Sequence, residues 1–169
     1  MGGNMGIDVD VIHDVETMLR NLNGYELLSY AICNEDCAAE TYEWLAERLE
    51  GDTSEEFRRL AAEKRKHASA MRELFSRLYP KMKPLEFNAP PLDALPVCSE
   101  MMKSEDAEEA LALALLSEAI GRDIYRKLAK MAGDEEVMKL FEELADIKEG
   151  TYRHLLGIYD SLTGGSKPF

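Results

Sequence analysis

Between Phe57 and Leu78 the apolar or small residues fall at Phe57, Leu60, Ala61, Ala68, Met71, Leu74, Phe75 and Leu78. This three-and-four spacing predicts a helix with one buried stripe. Lys64 and His67 sit in the middle of that stripe. A lysine on the centre line of an apolar stripe either meets a partner charge or costs the fold several kcal/mol, roughly.

Three further long helices follow from the same spacing. The first runs from about Tyr25 to Glu50 with a stripe of Leu28, Ala31, Ile32, Ala38, Tyr42, Leu45, Ala46 and Leu49, and Glu35 lies among them. Gly51 suits the end of that helix, with Asp52, Thr53 and Ser54 as N-cap candidates for the next. A proline-studded stretch, residues 80–104, then breaks the pattern. About 25 such residues can cross the length of a bundle whose helices are ~40 Å long, with room for one short helical turn near Pro96 to Lys103. Ser104 is the expected N-cap of the third helix, with Glu105 and Asp106 in its first turn. Its stripe of Ala107, Ala110, Leu111, Ala114, Gly121, Tyr125, Leu128 and Ala129 surrounds Glu118. After a turn at Gly133-Asp134, the fourth helix carries Val137, Leu140, Phe141, Leu144, Ala145, Tyr152, Leu155, Tyr159 and Leu162, with Lys148 in the middle.

The two halves are copies. Ala31, Glu35, Tyr42, Leu45 and Ala46 recur as Ala114, Glu118, Tyr125, Leu128 and Ala129, and Phe57, Leu60, Ala61 and Lys64 recur as Phe141, Leu144, Ala145 and Lys148. A duplicated helical hairpin joined by a crossover predicts an all-α four-helix bundle with pseudo-two-fold symmetry. The expected limits are a tail and short helix over 1–22 and a bundle over 23–162. Within the bundle, hairpins at 23–79 and 105–162 flank the crossover, and 163–169 form a C-terminal tail.

Composition narrows the function classes. At 169 residues, 46% hydrophobic and 31% charged, the chain suits one domain with a real core. A formal charge of -13 argues against nucleic acid or an anionic membrane as partner. No apolar run approaches the ~20 residues of a membrane span, and the N-terminus lacks the basic and apolar regions of a secretory signal. Cys33, Cys37 and Cys98 form no CxxC pair, so they read as reduced thiols of a cytoplasmic protein. Cys33 and Cys37 lie one helical turn apart on the side away from Glu35, where small packing residues are the ordinary expectation and a disulfide has poor geometry. The absence of Gln beside abundant Glu, Lys and Arg points to a thermophilic source. The nine methionines with Tyr25, Tyr30 and Trp44 read first as scattered surface apolars and, as the alternative, as a homodimer contact.

The order Glu, Tyr seven residues on, Ala eleven on, then Phe-x-x-Leu-Ala in the next helix resembles the rubrerythrin branch of the ferritin-like superfamily. The resemblance spans the chain apart from the first ~22 residues and the tails. It implies that each hairpin supplies one glutamate from its first helix and a Glu-x-x-His from its second, together holding two iron ions. Glu35 and Glu118 match the first-helix ligands, and His67 matches the first histidine. The other positions depart. Lys64 and Lys148 stand where the motifs have glutamate, and Thr151 replaces the second histidine. Gly121 occupies the place of an additional glutamate, and Glu63 lies out of register, about 100° from the stripe.

Exchanging two of four clustered carboxylates for ammonium groups takes the formal charge of the four positions to zero without metal. Three readings stand on these residues. In the first, Glu35, Lys64, Glu118 and Lys148 form a buried ionic network, with the Tyr42 and Tyr125 hydroxyls donating to the carboxylates. No cofactor is then expected, and the protein is a structural or interaction protein with a protein partner or a second copy. In the second, Glu35, His67 and Glu118 hold iron, and by resemblance the protein is an oxidoreductase or handles iron. In the third, the lysines snorkel out and the glutamates face solvent. A lysine acting as base or amine nucleophile is disfavoured, because neighbouring carboxylates stabilise its charged form. The residues themselves assign no catalytic role.

Overall fold

The computed structural model describes residues 23–86 and 103–164. They form four helices, α1 (Gly24–Arg48), α2 (Gly51–Leu78), α3 (Ala107–Met131) and α4 (Glu135–Thr163), with no strand among the described residues. The expected helix within 1–22, the turn near Pro96 apart from Lys103, and most of the C-terminal tail lie outside them. The chain divides into two compact units at Ala110. One contains α1, α2 and the first turn of α3; the other contains the rest of α3 and α4.

In the first unit, α1 opens with a reciprocal cap. The Asn23 side chain accepts from the Glu26 N–H at 3.1 Å, and the Glu26 carboxylate accepts from the Asn23 N–H at 2.9 Å. Two of the backbone donors that a helix start leaves without partners are thereby satisfied. The turn into α2 depends on Gly51, whose φ of 69° lies in the left-handed region. Helix α2 begins at this glycine, so Asp52, Thr53 and Ser54 fall inside it and do not cap it, and Glu50 holds the cap position without a side-chain bond. Ser54 turns inward instead, and its buried hydroxyl donates to the Ala46 carbonyl across the turn.

The two helices then close on one another through Leu28, Ala31 and Leu45 on α1 and Phe57, Leu60, Met71 and Phe75 on α2, all of them fully buried. At roughly 1.5–3 kcal/mol for each large side chain, this burial outweighs the exposed cross-helix ion pairs of Arg65 with Glu43 and Arg72 with Asp36. Past α2 the chain turns at Tyr79 and comes back beside α1, where the Leu85 N–H donates to the Ser29 hydroxyl at 3.0 Å.

In the second unit, Asp134 caps α4 by accepting from the Glu136 and Val137 N–H groups at 2.9 and 3.3 Å. Tyr125 and Leu128 of α3 and Phe141, Leu144 and Leu155 of α4 are buried. Helix α3 starts three residues beyond Ser104, and the acids of its first turn are Glu108 and Glu109 instead of Glu105 and Asp106.

The stripes hold at most positions, with Leu78, Ala107, Leu140 and Tyr152 only half-buried. Leu162 is exposed. Ala39 is buried where Ala38 is half-buried. Tyr30, expected with Tyr25 and Trp44 at a surface, is 0% exposed, and burial pushes its phenol up to about 12, a shift that hydrogen bonding to Asn34 offsets only in part. Helix α1 carries a second buried face of Leu27, Tyr30, Asn34 and Thr41 beside its main stripe, which a single-stripe reading does not see. On the same helix the Ser29 and Thr41 hydroxyls donate to the carbonyls of Tyr25 and Cys37 one turn back.

Asn23→Ala and Asp134→Ala are each expected to lower the unfolding free energy by about 1 kcal/mol, measured by chemical denaturation. Glu50→Ala, which removes no cap bond, is expected to change it by less than about 0.5 kcal/mol.

Candidate functional site: two buried carboxylate–ammonium pairs

Each hairpin buries one carboxylate and one ammonium. Glu35 and Lys64 are both 1% exposed, Glu118 is 1% exposed and Lys148 5%. The snorkelling alternative is thereby overturned, since all four side chains lie inside. Helical spacing puts Glu35 on the α1 stripe and Lys64 on the facing α2 stripe, and the Lys64 Nζ lies 4.0 Å from the Glu35 Oε2. In the second hairpin the Lys148 Nζ lies 3.5 Å from the Glu118 Oε2. Unit charges about 4 Å apart attract by about 4 kcal/mol at an effective dielectric of 20. Removing either charge alone would strand the other in a place where water does not reach it.

The surroundings of the two pairs match in their aromatics and differ elsewhere. Tyr42 stacks on Phe57 and Tyr125 on Phe141, with ring centroids 5.5 and 5.9 Å apart, so each tyrosine packs against a phenylalanine of the facing helix. The Lys148 ammonium also lies 5.5 Å from the Tyr125 ring centroid, within reach of a cation–π attraction. In the first hairpin His67 adds a second nitrogen, its Nδ1 3.4 Å from the same Glu35 oxygen that faces Lys64. The His67 side chain is 21% exposed, so the imidazole lies between buried Glu35 and the surface. In the second hairpin Thr151, at the matching position, turns away from this role and donates to the Ile147 carbonyl one turn back. Glu63 pairs with Arg59 on the outer face of α2 and takes no part.

Gly121 explains the closer approach in the second hairpin. A β-carbon at this position would lie 2.8 Å from both Cδ and Cε of Lys148 and 3.1 Å from its Nζ. The missing side chain is the groove in which the lysine stem lies on its way to Glu118. Sequence spacing identified both residues; that one makes room for the other required the structure.

The donor set does not fit a carboxylate-bridged pair of metals. Each hairpin offers one buried carboxylate with an ammonium already against it, and only the first adds an imidazole. No group of three or more His, Cys, Asp or Glu is arranged to hold a metal among the described residues. No helix among them is long and apolar enough to cross a membrane.

A duplicated hairpin with one inward glutamate on the first helix of each copy defines a ferritin-like protein. The sequence model of the rubrerythrin family matches residues 26–150, and the chain belongs to that family, whose fold class is the all-α ferritin-like bundle. Among solved structures, a hypothetical protein from Pyrococcus furiosus is 27% identical with a TM-score of 0.70, over 90% of this chain and 98% of the other. No curated protein matches.

Two predictions separate these contributions. Glu35→Gln and Lys64→Met are each expected to cost about 3–5 kcal/mol, while combining Glu35→Leu with Lys64→Met recovers most of that loss, as read from denaturation curves of the three variants. Gly121→Ala, which in an ordinary helix interior gains about 1 kcal/mol, is expected here to lose about 1–3 kcal/mol through overpacking. In a Lys148→Ala background the same change is expected to be stabilising.

Proposed function

We propose that this rubrerythrin-family protein has exchanged its di-iron centre for internal ion pairs and serves as a non-catalytic structural or interaction protein, a cytoplasmic homodimer. One observation carries the reading: an ammonium stands within 4.0 Å of the buried carboxylate in both hairpins, at the positions where the family pattern has glutamate. In the family's arrangement, clustered carboxylates tolerate burial because divalent cations neutralise them. Here Lys64 and Lys148 supply that charge from within the chain, and a fixed positive charge repels an incoming cation. Loss of the second histidine to Thr151 removes a neutral ligand and leaves a hydroxyl that its own helix satisfies. What remains is a hairpin pair stabilised without metal, and its role then lies in what its surface binds.

A second reading rests on His67. Its Nδ1 is nearer to Glu35 than the Lys64 ammonium is, 3.4 against 4.0 Å, so within the first hairpin Glu35 and His67 form the nucleus of a reduced metal set. On that reading the protein handles iron or acts as an oxidoreductase.

Anaerobic loading with ferrous iron followed by desalting and metal analysis distinguishes the two. The proposal expects substoichiometric iron, unchanged in Glu35→Ala and His67→Ala. Stoichiometric iron that either substitution removes establishes the second reading instead. The triple variant Lys64→Glu, Lys148→Glu and Thr151→His is expected to gain iron binding, because it returns the six positions to the family's ligand types. Its failure to bind would show that the lost metal site is not explained by these three positions.

A further inference from the structure

Cys33 and Cys37 take no part in the buried pairs. They are one helical turn apart on α1, both are part-exposed, and neither is in a disulfide. Side chains at this spacing have Cβ atoms about 5–6 Å apart. A disulfide needs about 3.5–4.5 Å, so the two thiols do not close on each other without unwinding the helix. Two metal–thiolate bonds of about 2.3 Å each span up to about 4.6 Å between the sulfurs, which this Cβ separation accommodates. The spacing that forbids the covalent bridge therefore suits a bridging ion.

The surroundings give that ion a way in. Cys33 opens onto a cleft of about 500 Å³ between α1, α2 and the returning segment 83–86. Ile32, Pro84 and Leu85 line it with apolar surface, and Asp36, Arg72, Lys83 and Glu86 line it with charge. The Arg72 guanidinium is held by the Asp36 carboxylate, and the Leu85–Ser29 hydrogen bond fixes the returning segment against α1. A wall with both charge signs admits a cation and offers positive groups to the anionic complex that two thiolates form around a monovalent one.

We propose that Cys33 and Cys37 form a two-coordinate thiolate site for a soft monovalent d¹⁰ cation of the Cu(I) class, with Cys33 on the wall of this cleft. Thiolates select such ions over the harder divalent metals that carboxylates hold. On binding, two S–H bonds give up their protons to solvent and two sulfur–metal bonds form, with no change of oxidation state. The site is independent of the proposed loss of the di-iron centre.

Competition between the reduced full-length protein and bicinchoninate for Cu(I) under anaerobic conditions tests it. One equivalent is expected to be retained. Loss of a direct ligand in Cys33→Ser or Cys37→Ser is expected to weaken retention by at least the roughly 10–100-fold that losing a supporting group costs. Cys98→Ser is expected to retain Cu(I) as the unmodified chain does. Wild-type retention in either Cys33→Ser or Cys37→Ser overturns the proposal, as does loss of retention in Cys98→Ser. Should a serine variant fail to fold, alkylation mapping of the unmodified chain decides the same question. One equivalent of phenylarsine oxide, which bridges paired thiols, is expected to protect Cys33 and Cys37 together, and protection of neither or of only one overturns the site.

Discussion

A carboxylate buried in a helical hairpin must be matched by positive charge, and the rest of this protein follows from how that is met. Glu35 and Glu118 are each 1% exposed on stripes that are otherwise apolar. Left alone, each would cost more than a buried leucine beside it contributes. The chain meets the demand from within, with one lysine on the facing helix of each hairpin. Each pair therefore ties the two helices of its hairpin together, and the aromatic stacks of Tyr42 on Phe57 and Tyr125 on Phe141 lie on the same stripes.

This arrangement places the charge balance of the fold and the family's metal-ligand positions on the same residues. In a di-iron protein of this family the glutamates await an ion. Here the neutralising charge is covalently attached and present as soon as the hairpin closes, so the buried carboxylates do not wait for a metal to be tolerated. The two copies are not equal. In the second hairpin, Gly121 gives Lys148 a groove and the pair closes to 3.5 Å. In the first, Lys64 stays at 4.0 Å and His67 stands against the same carboxylate. The histidine is the one ligand type that survives in second-helix position, and it is also the one polar group of the site with a view of solvent.

Much of this was legible in the sequence, because helical periodicity and an internal repeat are strong signals. Glu35, Lys64, Glu118 and Lys148 stood out as charges on apolar stripes, and their recurrence in the two halves made four independent accidents untenable. The family followed from the same residues. What escaped was whatever depends on distance. Gly121 read as a vacant ligand position, whereas its role is to leave space for the stem of Lys148. Tyr30 read as a surface aromatic, because α1 is buried on a second face whose Asn34 and Thr41 disguise it as polar. The starts of α2 and α3 were misplaced because serine, threonine and aspartate are cap candidates wherever they occur. Ser54 gives its hydroxyl proton to the Ala46 carbonyl instead.

The central claim is that two lysine ammonium groups, and not metal ions, neutralise the buried glutamates. Nitrogen-15 NMR of the lysine side chains observes those groups directly. The account predicts two charged ammonium signals, assigned to Lys64 and Lys148, that exchange slowly with water at neutral pH and are unchanged by stoichiometric ferrous iron or by a chelator. Neutral amines at these positions, or signals that ferrous iron displaces and a chelator restores, would contradict it.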